Sequence, residues 1–248
     1  MRTSHQWISH FRKNATQQRI DWSLAPTVTE QELSPILRSF QSWQLGETPD
    51  GGPLLKATRK YARKMNDPSY LEAIGLFINE EQKHSDNLGA YLDRIGKPRL
   101  KADICDTLFR KVRYFNTSME IWTLTVLVVE SIAQLFYQSL KDATHCALLK
   151  QISTDILIDE AHHVAFQRER LSIFFQNRSR TTRFICLHLY KVFFAGTVLI
   201  AWTAYKNVFI AGGHTFSSYL QKMKYKYYRS IHNTISHKKI YYLNGITA

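Results

Sequence analysis

Leu157-Ile158-Asp159-Glu160-Ala161-His162-His163 decides the reading of this chain, because Asn79-Glu80-Glu81-Gln82-Lys83-His84 repeats its chemistry. In both stretches an acid precedes a glutamate, and a histidine follows that glutamate three positions later. Three residues of α-helix rise about 4.5 Å and return to within about 60° of the starting direction. Glu81 with His84, and Glu160 with His163, therefore each aim a carboxylate and an imidazole at one point, which is metal-ligand spacing. Both copies lie inside long apolar-periodic segments, where a carboxylate is costly to bury unless a metal or a charged partner meets it. A single Glu-x-x-His pair is common surface decoration on helices. Two copies with matching context point to a paired metal site inside a helical bundle.

Working outward, Pro68 opens a helix that runs from Ser69 to about Ile95 and carries the first copy, with Leu71, Ile74, Phe77, Ile78, Leu88 and Leu92 on the same broad face. A second long helix, from about Tyr114 to Lys141, is strongly apolar and places Glu130 at its middle. The helix from about His145 to Phe175 carries the second copy. With a turn near Ala143-Thr144-His145, Glu130 and Glu160 stand about 15 residues either side of it, so in an antiparallel pair they are level. Ahead of these, Thr29 starts a helix with Leu33, Ile36, Leu37, Phe40 and Trp43 as its stripe and Pro35 tolerated in its first turn. Gly46 to Pro53 interrupts it and Leu54 to Lys64 resumes it, so the first bundle helix is broken or kinked. Glu47 is level with Glu81 only if that irregularity absorbs the surplus residues. Asp50 competes with Glu47 for the ligand role, and capping the kinked helix is an alternative role for Glu47.

Length and composition agree with this picture. The 248 residues, 44% of them hydrophobic, suffice for one large domain or a domain with an appendage. Cys105, Cys146 and Cys186 form no C-x-x-C pair, which argues against a disulfide framework or a zinc knuckle and for a reduced, cytoplasmic setting. The first eighteen residues lack the continuous apolar core of a secretory signal. A short helix is expected around Trp7, Ile8, Phe11, Ile20 and Trp22, and another over Asp103 to Arg113.

Charge divides the chain in two. Of 33 basic residues, 11 lie in 171–248, where there is no Asp or Glu, leaving 22 basic against 20 acidic residues in 1–170. Phe184 to Ala211 is apolar but interrupted by His188, Lys191 and Lys206, and its unbroken core, Val192 to Tyr205, is short for a spanning helix. A fifth helix packed on the bundle is the leading reading. A helix lying on an anionic membrane surface is the rival, and an acidic partner protein would suit the same charge. The strip Tyr219 to Arg229 is basic and aromatic, but no nucleic-acid motif accompanies it and nucleic acid is not the expected partner. The expected organisation is an N-terminal extension over 1–28, a bundle over 29–178, and an apolar helix with a basic tail over 179–248.

Glu, Glu-x-x-His, Glu, Glu-x-x-His on successive helices resembles the ligand order of the ferritin-like di-iron carboxylate proteins. Trp43-Gln44-Leu45-Gly46-Glu47 and Asp159-Glu160-Ala161-His162-His163-Val164-Ala165-Phe166-Gln167 resemble the "FQLGE" and "DExxH-V-x-F-Q" patterns of bacterial ferritin-like domain proteins, over roughly residues 35–175. The resemblance implies an all-α, ferritin-like four-helix bundle with a kinked first helix and an added C-terminal helix. It implies Glu47, Glu81, Glu130 and Glu160 as carboxylate ligands and His84 and His163 as nitrogen ligands to two iron ions, or a Mn/Fe pair. Glu80 and Asp159 are expected to accept hydrogen bonds from ligand histidines on neighbouring helices. His162 is expected beside the site or at the core edge. Tyr137 is expected to hydrogen-bond there or simply to pack. The implied activity is a dinuclear oxidoreductase that uses O₂ or peroxide on an unidentified small molecule. The same site type also serves iron stores, which assemble into oligomers, and a membrane-surface binding protein using the basic region is a third reading.

Overall fold

The computed structural model describes residues 1–48, 51–103 and 118–236, and among these every regular element is helical. α1 (Ser4–Ala15) opens on a capping box in which Thr3 and Gln6 bond reciprocally, and it buries Trp7, Ile8 and Phe11. It ends before Ile20 and Trp22, so the expected stripe covers a helix and the strap that follows it. A second capping box, Thr29 with Glu32, opens α2 (Glu30–Gly46), and Pro35 is accommodated within that helix. α3 (Gly52–Met65) is a separate helix, so the expected kink is a full break. Gly51 marks it with a left-handed φ of 61°, and a Cβ there would lie 3.3 Å from two side-chain carbons of Ile78. Asp50 falls outside the described residues, as do Cys105 and all of the expected Asp103–Arg113 helix beyond Asp103 itself.

The four long elements follow as α4 (Ser69–Arg94), α5 (Met119–Asp142), α6 (Ala147–Phe175) and α7 (Arg180–Ala211). The Ala143–Cys146 turn joins α5 to α6, where the sequence places it. α7 begins four residues before the expected Phe184 and bends at Tyr205, whose φ of −124° and ψ of 15° are not helical. α8 (Phe216–Tyr227), a π turn over Tyr228–His232 and the short α9 (Asn233–Ser236) complete the described chain. On α8, Tyr219, Met223 and Tyr227 step by four into the core, so three of the strip's apolar side chains are buried packing groups.

Two hydrophobic clusters make up the interior. The larger draws Leu33 to Trp43 of α2, Leu88 to Leu92 of α4, most of α5, the first half of α6, and the inward faces of α7 and α8. The smaller joins Trp7 and Phe11 of α1 to Phe77 and Ile78 of α4 and Phe166 of α6. Along α4 the order is small cluster, Glu81 and His84, large cluster. Along α6 it is large cluster, Glu160 and His163, then Phe166 of the small cluster, with Leu171 and Phe175 beyond it rejoining the large one. The two helices run in opposite senses, and the polar residues collect where one apolar layer gives way to the other.

Candidate metal centre

Six side chains meet at that boundary. Glu81, Glu130, Glu160 and His163 form one group in which a ligand atom from each lies within 4.8 Å of the others, and Glu47, Glu81 and His84 form a second. Glu81 belongs to both. These are the six residues singled out in the sequence. Glu160, His84 and His163 are fully buried, and Glu130 and Glu47 nearly so.

Each histidine turns one nitrogen inward and anchors the other. His84 Nε2 donates to Asp159 Oδ2 at 3.1 Å, and His163 Nε2 donates to Glu80 Oε2 at 2.8 Å. The anchors cross between α4 and α6, each histidine meeting the acid that precedes the glutamate on the other helix. A proton held on Nε2 leaves the Nδ1 lone pair free to face the site. His163 Nδ1 lies 2.8 Å from Glu81 Oε1 and 3.9 Å from Glu160 Oε2, and His84 Nδ1 lies 3.8 Å from Glu160 Oε1.

His84 Nδ1 and the two Glu160 oxygens have no hydrogen-bond partner, and His163 Nδ1 and Glu81 Oε1 meet only each other, as an ion pair without hydrogen-bond geometry. Buried polar atoms are almost always paired, so this convergence of unsatisfied donors and acceptors fits a site built for an occupant. Neighbouring ligand atoms around a metal at about 2.1 Å stand roughly 3–4 Å apart, which is the spacing seen here. The donor set of carboxylate oxygens and imidazole nitrogens fits a transition-metal pair, and four carboxylates balance the charge of two divalent ions.

The electrostatics of the bare site point the same way. Burial, then the Glu81 carboxylate, pushes Glu47 up to about 8. Burial, reinforced first by Glu130, holds Glu160 well above the usual carboxylate range. Burial works against a charge on His163, but Glu81 and Glu80 outweigh it and raise the imidazole. His84 follows the same pattern, with burial opposed by Asp159 and Glu81. Four carboxylates this close resist joint ionisation without cations among them.

Glu47 occupies the first position beyond α2, and side chains hold it there. Its Oε1 accepts from Tyr137 Oη at 2.7 Å and from Trp43 Nε1 at 2.7 Å. Gln44 donates to Ser85 Oγ at 3.0 Å, and Thr48 and Ser85 share a 2.7 Å hydroxyl contact, which ties the end of α2 to α4. Tyr137 thus sits beside a candidate ligand. His162, by contrast, is half-buried against His10, with ring centroids 4.2 Å apart, and so packs on α1.

Sequence reasoning missed the outer layer of the centre. Asn14, near the end of α1, donates from one Nδ2 to Glu80 Oε1 at 2.6 Å and Asp159 Oδ1 at 2.8 Å, joining the anchors of both histidines. Arg19 bonds Asp155 and Asp159 at 2.5 and 2.9 Å and also meets Asn14, while Lys83 reaches the same two acids. Burial opposes the charge on Asp159, yet His84, Asn14 and Lys83 hold its carboxyl well below the usual range. Trp43 carried a signal in its i, i+4 spacing to Glu47. Asn14 and Arg19 carried none.

No family model and no curated protein sequence matches this chain. Among solved structures, a mutant R2-like ligand-binding oxidase with an aerobically reconstituted Mn/Fe cofactor superposes with a TM-score of 0.63 at 14% identity, covering 95% of this chain and 94% of that one. The fold is ferritin-like. At this identity the likeness concerns the path of the chain.

Proposed function

We propose that this protein is a dinuclear non-haem metal oxidoreductase that uses O₂ or peroxide, with two iron ions or a Mn/Fe pair held by Glu47, Glu81, His84, Glu130, Glu160 and His163. The observation that carries this reading is the pair of ligand groups sharing Glu81. The Mn/Fe cofactor of the structural neighbour supports the choice of metals. Bound there, a redox-active pair would supply electrons for reducing O₂ or peroxide.

The chain's own residues set the conditions for that chemistry. Asp159 and Glu80 hold the histidine Nε2 protons, so with metals bound both imidazoles would donate through Nδ1. Tyr137 and Trp43 occupy Oε1 of Glu47 and leave its other oxygen to reach a metal. Full burial of His84, His163 and Glu160, with Phe77 packed edge-on against His163 at 4.7 Å, excludes bulk water.

Metal analysis after anaerobic Fe(II) loading tests the reading. About two ions per chain are expected, as in dinuclear carboxylate bundles. Glu81→Ala is expected to lose both and Glu130→Ala to lose one. Fewer than about one bound ion in the natural chain would sink the proposal, and many per chain would favour an iron store.

A further inference from the structure

α7 is the least covered of the long helices. Both α5 and α7 are long and apolar enough to cross a bilayer, but 72% of the relevant window of α5 is buried against only 28% of that of α7. The inward side of α7, including Tyr190, Phe194, Val198, Ala201, Tyr205 and Phe209, belongs to the main core. Its outward side carries Ile185, Leu189, Val192, Leu199, Ile200 and Ile210, each between 40% and 73% exposed. Steps of four, three and seven residues put Ile185, Leu189, Val192 and Leu199 on one stripe. Phe216 and Leu220 of α8 are exposed as well. Isolated exposed aliphatics are ordinary, but a continuous row of this length marks an interaction surface.

Charge selects the occupant. Arg180, Lys191, Lys206, Lys222 and Lys224 are exposed on α7 and α8, and no Asp or Glu follows Glu169. A cleft at the start of α7 is lined by Arg180, Arg183, Phe184, Leu187 and Ser236, which sets basic groups beside apolar ones. Arg183 donates to the main-chain oxygens of Phe175, Gln176, Arg178 and Ile235, so its charge meets carbonyl dipoles. A second copy packed on this stripe would set lysine against lysine with no acid from residues 171–248 to meet them. Insertion across a bilayer would strip the inward row from the core and break the Tyr190–Glu120 and Arg183 bonds. An anionic lipid surface satisfies both features, taking the aliphatic row among its acyl chains and the cations among its headgroups.

We propose that the outer face of α7, with the cations of α7 and α8 as its margin, docks in the plane of an anionic phospholipid bilayer. This does not depend on the metal reading. Flotation of the full chain with vesicles of phosphatidylcholine alone, or mixed with phosphatidylglycerol, tests it. The protein should float with the mixed vesicles, less so as salt rises, and stay behind with phosphatidylcholine alone. Leu189→Glu/Leu199→Glu should weaken partitioning by about tenfold or more, because the row is removed from the acyl region. Lys191→Gln/Lys206→Gln leaves core packing untouched and should weaken it by severalfold, so the test survives if the glutamate variant misfolds. Absence of flotation with mixed vesicles at low salt overturns the proposal. So does equal flotation with neutral vesicles, or binding indifferent to both double variants. A natural chain that is dimeric in sedimentation, does not float, and becomes monomeric on Leu189→Glu/Leu199→Glu would assign the face to a second copy instead.

Discussion

The two halves of the centre are held by different means. Glu130, Glu160 and His163 stand in the middle of the α5/α6 hairpin, where helix geometry and one short turn fix their level. Glu47 stands just past the end of α2, beside a break in the chain, and depends on Trp43, Tyr137 and the Gln44/Thr48–Ser85 contacts. A candidate ligand inside a packed hairpin inherits its position from the core, whereas one at a helix end needs tethers of its own.

Both halves nevertheless carry unbalanced charge, which gives the largest expected effect. A carboxyl whose folded pKa is raised favours the folded state fully below its unfolded value and loses that contribution as pH rises through the folded value. For Glu47 the window runs from 4.5 to about 8. Metal-free protein should therefore lose roughly 3–4 kcal/mol of stability between mildly acidic and mildly alkaline pH, read as a falling urea midpoint. Metal-loaded protein should show little of this slope. A metal-free midpoint that rises over the window would mean that the carboxylates are already balanced within the fold.

The hairpin half can be separated from the other by Glu160→Gln, which keeps the shape and removes the charge. At neutral pH the metal-free variant should be more stable than the natural chain, because a carboxyl held well above its usual range is replaced by a neutral amide. Its iron content should fall by at least one ion. Loss of stability in the metal-free variant would contradict the assignment of Glu160 as a ligand awaiting a cation.

Tethers and anchors give smaller, contrasting effects. Tyr137→Phe removes a donor to Glu47 alone, and should weaken one of two Co(II) binding steps by about tenfold in optical titration. Asn14→Ala loosens Glu80 and Asp159 together, so both steps should weaken, each by a similar factor of about ten. If Tyr137→Phe weakens both steps equally, the division into two independently held halves is wrong.

What the sequence made legible follows the same division. Equal distances from the Ala143–Cys146 turn brought Glu130 and Glu160 level because helical rise is uniform, and the acids next to Glu81 and Glu160 crossed over because adjacent helix positions diverge by about 100°. The same 100° carries His162 away from His163 and onto His10. Asn14 meets Asp159 across 145 residues of chain through packing of the N-terminal helix, for which no local pattern exists. The exposed face of α7 was equally hidden: a helix apolar nearly all round has no periodicity to say which side turns outward.

The smallest effect bears on the break itself. Gly51 has a φ of 61°, and an added Cβ would press on Ile78, one turn before Glu81, at 3.3 Å. Gly51→Ala should cost about 1 kcal/mol from the left-handed backbone alone, with the contact adding to it. The strain falls between α2 and α3, so the step that depends on Glu47 should weaken further while the hairpin step keeps its affinity. Comparing thermal midpoints of the metal-free variant with its Co(II) titration separates these effects. A lower midpoint with both steps unchanged would show that the Trp43 and Tyr137 tethers alone hold Glu47, and that the break serves only to turn the chain.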